Sequence, residues 1–203
     1  MRNVLMIKAG LLTTLSCIVI FHLSAEAQTT FRLNHYNTIY DGTHMPIVTL
    51  STTHAFNEKV GFATYFYVNG TKGSSWGEGL AGISWRPVEG LTLMFLGGIQ
   101  TNEDVLYRFS PIFFYRKNNI SAFGAFEYGG ERHRWDIMWF YHVQAFKFGA
   151  ELIRFYEMYA AGPRVELTFL KKQPLTVFYS GLWDWDAEKY ASMFGIYTTF
   201  GGN

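Results

Sequence analysis

Cysteine is nearly absent: the 203-residue chain has one, Cys17, and it falls within the first 27 residues. Those residues read as a secretory leader. Arg2 and Lys8 give a positive head, Leu11 to Leu23 is mostly apolar, and Ala25-Glu26-Ala27 has the small-x-small spacing of a cleavage site. A spanning helix would need about 20 uninterrupted apolar residues, and this run is shorter and ends in His22, Ser24 and Glu26. A lipidated Cys17 is the other alternative, but Thr14 stands where such leaders usually carry Leu, and the apolar run continues past the cysteine. The reading is a cleaved leader over 1–27 and a single domain over 28–203. A mature chain of that kind has no disulfide, no thiolate metal site and no cysteine nucleophile.

Charge is scarce as well, at 16% of residues against about a quarter in soluble domains. Losing the leader removes Arg2, Lys8 and Glu26, so Lys+Arg falls from 17 to 15 and Asp+Glu from 16 to 15. The mature chain is then formally neutral, without the basic surplus that nucleic-acid binding calls for. No later stretch is long and apolar enough for a spanning helix. No His-Glu-x-x-His or closely spaced histidine pair suggests a metal site, and no cofactor is expected. Gly70 to Gly79 holds four glycines around Ser74-Ser75. It lacks the Lys-Ser/Thr of a phosphate loop and reads as a hairpin loop.

What the chain does have is aromatic residues, 19% of the total, and 20 glycines. It breaks into β-type segments of about 9–12 residues, the span of a tilted transmembrane strand. The predicted strands are 31–41, 47–56, 59–69, 76–86, 91–101, 105–116, 120–129, 133–142, 146–157, 163–170, 175–183 and 190–200. Turn residues recur at Asn57-Glu58, Pro87-Val88-Glu89-Gly90, Lys117-Asn118-Asn119 and Lys171-Lys172-Gln173-Pro174, with a bend near Val143-Gln144-Ala145. These junctions alternate with 69–75, 101–104 and 184–189, so with both termini periplasmic the first set faces the periplasm. Parity blurs over Leu152 to Tyr156, which predicts a bulge or register change there.

Alternation is clearest in three segments. Tyr107, Phe109, Phe113 and Tyr115 oppose Arg108, Ser110 and Arg116. Trp135, Ile137, Trp139 and Tyr141 oppose Arg134, Asp136 and His142, and Val165, Leu167 and Phe169 oppose Arg164, Glu166 and Thr168. An Arg on a lipid face at mid-depth costs about 2–4 kcal/mol, so in a membrane barrel the polar sets point inward. A soluble sandwich or lipocalin-like barrel would reverse the faces. Aromatics near strand ends, small inward residues (Gly82, Ser84, Gly98, Ser180) and the last segment favour the membrane form. That segment, Tyr190 to Phe200, places Phe194, Ile196 and Phe200 on one parity and resembles the closing strand of bacterial outer-membrane barrels, although Gly201-Gly202-Asn203 follows the aromatic residue. The resemblance covers residues 28–203 in style. It implies an all-β, transmembrane, antiparallel up-and-down barrel of about twelve strands, with eight or ten if neighbours merge or weak segments drop out.

The resemblance also implies an outer-membrane address and contact with membrane lipid and lipopolysaccharide. Inside, Arg86, Arg108, Arg116, Glu127, Arg134, Asp136, Arg164 and Glu166 are expected to form a lumen charge network, joined by Arg32, Lys59, Glu78 and Glu151. The network either fills a narrow lumen structurally or sorts small solutes. Trp183-Asp184-Trp185-Asp186 is either an interfacial belt or a surface contact for glycan or lipopolysaccharide. The leading function is a porin-like passive channel for small solutes or a structural envelope component. Alternatives are an accessory subunit of an envelope complex and a lipid-modifying hydrolase. Outer-membrane phospholipases and lipid A deacylases carry a Ser–His pair on the barrel's outer surface, and His54, sharing parity with Val48, Leu50 and Phe56, is the best candidate for such a pair. No His-x-Ser arrangement surrounds it, and no catalytic residue is assigned.

Overall fold

The computed structural model describes residues 29–71, 74–101, 105–130, 133–155, 158–170 and 173–201. The expected leader lies outside them. Twelve strands follow in chain order: β1 (Thr29–Tyr40), β2 (Thr43–Ala55), β3 (Val60–Thr71), β4 (Ser74–Val88), β5 (Leu91–Thr101), β6 (Val105–Lys117), β7 (Ile120–Gly129), β8 (Arg134–Val143), β9 (Phe146–Phe155), β10 (Met158–Phe169), β11 (Leu175–Asp184) and β12 (Lys189–Gly201). Each pairs antiparallel with its sequence neighbours, and β1 pairs with β12 to close the barrel. Closure leaves no strand edge with unpaired backbone groups, the condition for a sheet to stand in lipid.

Several connections are two-residue turns whose chemistry is local. Asp41 and Gly42 both have positive φ, 49° and 72°, the type I′ geometry that Asp-Gly favours. Asn118 and Gln144 take the same left-handed region at the turns after β6 and β8. The turn after β4 is Glu89-Gly90 alone, because Pro87 and Val88 continue the strand. The pairing of β4 with β5 slips between Trp85 and Val88, where Pro87 has no N–H to give to a ladder.

The predicted irregularity in β9 is not there: its register with β8 and β10 is constant from Phe146 to Arg154. Parity blurs in the sequence because Ile153 is an apolar residue on the inner face, 7% exposed against Met158 and Ala160, while Arg154 points out. β10 likewise begins at Met158, five residues before the expected start. Its small first residues, Ala160-Ala161-Gly162, show no alternation for the sequence to reveal.

The two faces separate cleanly. Tyr107, Phe109, Trp139, Tyr141, Val165, Phe169, Phe194, Ile196 and Phe200 are exposed on the outer wall, while Arg108, Arg134, Arg164 and Glu166 are buried within. This is the inverse of a soluble barrel and the arrangement of one whose solvent is lipid.

Candidate functional site

The site is the lumen, and its two halves differ. On the side of the turns after β2, β4, β6, β8 and β10, it holds a cavity of about 930 Å³. The mouth carries Arg32, Lys59, Arg86, Arg116, His142 and Lys147, together with Glu58 and Glu89 on the turns. Deeper in, Glu127, Asp136, Glu151, Arg164 and Glu166 line the wall.

The opposite half is filled with side chains. Inward residues at that end, Ile47, Asn69, Trp76, Gln100, Arg108, Arg134, Met158, Leu182, Asp184 and Ala191, are all buried. Arg134 sits at the boundary. Its guanidinium reaches Glu78 across the barrel and Glu127 on the adjacent strand. It also lies 4.4 Å from the Trp76 ring centroid and 5.2 Å from that of Tyr67. Trp76 in turn stacks on Tyr67 at 4.5 Å and on Phe155 at 6.5 Å. Arg108 extends the cluster, hydrogen bonding to Gln100 and lying 3.4 Å from Glu78. The cation is thus held by two carboxylates and capped by aromatic faces, while its Nε and Glu78 Oε1 are buried without a hydrogen-bond partner among the described residues.

A second network runs across β9, β10, β11 and β12. Arg164 bonds to Glu151 and Glu166 at 3.0 Å each and lies 3.9 Å over the Phe178 ring. Glu166 also accepts from Lys147 at 2.8 Å and from the Tyr197 hydroxyl at 2.5 Å, and Ser180 donates to Glu151 at 2.5 Å. Asp136 lines the cavity beside these groups, and its Oδ1 has no hydrogen-bond partner among the described residues.

The structure thus brings Arg108, Arg134, Arg164, Glu127 and Glu166 into ion pairs and leaves Arg86 and Arg116 apart. Neither of those two reaches a carboxylate among the described residues, and both are exposed at the mouth. Sequence reasoning gave no role to Lys147, Tyr197, Gln100 or Phe155. Lys147 was findable, since it shares inward parity with Glu151 on one strand. The other three are joined to the network by neighbours across the sheet, which one strand's pattern does not reveal.

The Trp183–Asp186 segment divides. Asp184 is fully buried, accepting from the Tyr40 hydroxyl at 2.6 Å and from the backbone N–H groups of Asp186 and Ala187. Its carboxylate holds the turn. Trp183 and Trp185 are exposed on the outside, with Trp183 edge-on to Tyr190 at 4.6 Å. His54 keeps the outward parity but is buried, packed against Phe56 and bonded to the Thr29 hydroxyl at 2.9 Å. A hydroxyl–imidazole contact that the sequence did not suggest lies inside, between Ser121 Oγ and His142 Nε2 at 2.7 Å.

No protein-family profile matches the chain, and no curated protein matches it by sequence. Solved structures do. The KdgM porin superposes with a TM-score of 0.56 at 13% identity, covering 83% of this chain and 99% of that one; it has also been solved in complex with disordered oligogalacturonate. The NanC porin gives 0.56 at 11% identity, covering 83% and 98%. The Salmonella typhi outer membrane phospholipase dimer with bound calcium gives 0.51 at 9% identity, covering 85% and 90%. These likenesses are of fold: the chain has the architecture of outer-membrane β-barrels.

Proposed function

We propose that the protein is exported, loses residues 1–27, and serves in the bacterial outer membrane as a porin-like barrel for small solutes. In this structure its lumen is shut at the loop end. The observation that carries the reading is the lumen itself: a 930 Å³ cavity lined by ionisable groups that ends on a plug of side chains around Arg134. A plug built of side chains opens by rotamer changes, without moving a domain. With both chain ends on the side of the open mouth, that mouth faces the periplasm. The exposed Trp183 and Trp185, with Asp186, then stand at the outer surface, where lipopolysaccharide headgroups would meet them. A solute such as the oligogalacturonate of the KdgM complex is anionic, and the basic residues at this mouth suit anions.

Planar-bilayer recordings of the refolded chain test the proposal. Trp76→Ala and Phe155→Ala thin the plug and should raise conductance above that of the unmodified protein. Absence of conductance in all three would reduce the barrel to a structural envelope component. Heat-modifiable migration of an outer-membrane fraction whose N-terminus is Gln28 is expected, and recovery as a soluble periplasmic protein would overturn the location.

A further inference from the structure

The lumen wall is not polar all round, as the interior of a water-filled porin is. On β5, β6 and β7 the middle of the inner face is apolar. Leu96 and Ile112 are buried with Ala63 and Leu80, and Met94, Phe114, Phe123 and Ala125 pack against them. Met94, Leu96, Ile112, Phe114 and Phe123 all line the cavity, and the Phe114 and Phe123 rings lie 4.9 Å apart. Strand register stacks this wall in rungs. Arg116 pairs with Ser121, Phe114 with Phe123, and Ile112 with Ala125. A cation and a hydroxyl therefore stand at the mouth, and two apolar rungs lie directly below them, over roughly 13 Å of strand. The floor beyond holds Asp136, which pairs with Ala125, beside Glu127 and Glu151, which Arg134 and Arg164 already hold in ion pairs.

We infer that this cavity is a binding site for an amphipathic monocarboxylate, such as an arylalkanoic acid. Its carboxylate would sit on Arg116 beside the Ser121–His142 pair, and its apolar body along the β5–β7 wall. Arg116 is the fitting anchor because no carboxylate among the described residues already holds it. Arg164 and Lys147 are engaged with Glu166. The volume is that of small-molecule sites, and the apolar wall stands out within a lumen otherwise lined by ionisable groups. Asp136 sets the specificity, since its Oδ1 has no hydrogen-bond partner among the described residues and a second carboxylate at the far end of the ligand would meet it. The site deepens the porin-like reading by naming a solute class, yet it needs only the open mouth and not conduction.

The test is equilibrium binding of 3-phenylpropionate to the full mature chain in lipid nanodiscs, with empty nanodiscs as the blank. Saturable binding is expected. The neutral amide of the same acid, and the dicarboxylate glutarate, should each bind at least tenfold more weakly. Arg116→Ala should reduce the acid to the level of the amide. Because the ligand series is run on the unmodified protein, a misfolded variant does not decide the outcome. Equal binding of the amide or of glutarate, or no loss with Arg116→Ala, overturns the site. Binding without conductance would keep the site and refute the channel, whereas conductance without binding would do the reverse.

Discussion

Two arginines show how depth decides what a charge does. Arg134 is 5% exposed and held by Glu78 and Glu127; Arg116 stands in the mouth. Arg134→Ala leaves Glu127 without its cation and Glu78 with Arg108 alone in a buried cluster, a change that costs about 3–5 kcal/mol. Arg116→Ala breaks no buried pair, so stability should change by no more than about 0–1 kcal/mol. Urea midpoints, followed by loss of heat-modifiable migration, measure both. Equal midpoints would show that water reaches the Arg134 cluster. Alternation along a strand marks both arginines as inward, but depth is not written in it. Glu78 and Arg134 meet across the barrel, from β4 and β8, and their encounter depends on the closed circumference. The Asp184 carboxylate was hidden for a similar reason, because its partner Tyr40 lies on β1 at the other end of the chain.

At the scale of the strand, glycine has one clear structural duty. A Cβ on Gly82 would come within 1.9 Å of the Phe95 carbonyl oxygen, because β4 and β5 approach closely on the inner face there. Gly82→Ala should therefore destabilise the barrel by about 1–3 kcal/mol, the range for overpacking. A thermal melt followed by circular dichroism checks this, and an unchanged midpoint would mean that the strands separate freely at this point. Strand number and most boundaries were legible, since lipid outside and charge inside impose strict alternation. Legibility failed where the inner face becomes apolar. Ile153 blurs β9, and the β10 start is lost among alanines, because both segments serve the half filled with side chains. Asp41-Gly42 carries a hairpin signal, which the polar residues of β1 obscure because they weaken the alternation before it.

For the whole molecule, the decisive matter is which face meets lipid. Trp139 is 53% exposed and Trp76 is 5% exposed. Brominated lipid should quench much of the tryptophan emission of the reconstituted protein. Trp139→Phe should shrink the quenched fraction, while Trp76→Phe should remove only unquenched emission. A quenched signal that belongs to Trp76 would turn the barrel inside out, into the soluble form that alternation by itself permits.

The β1–β12 ladder has a consequence for how the chain assembles. Every other ladder joins neighbours that a hairpin brings together, whereas this one joins Thr30 to Gly201 and Tyr40 to Ala191. Each doubling of a loop adds about 0.6 kcal/mol of closure entropy, and about five to six doublings separate a hairpin from this seam. The seam is then the last ladder to zip during folding and the first to part during unfolding. Until it forms, the backbone groups of β1 and β12 are unpaired, and those two strands are where an unfinished barrel is open to capture by another chain.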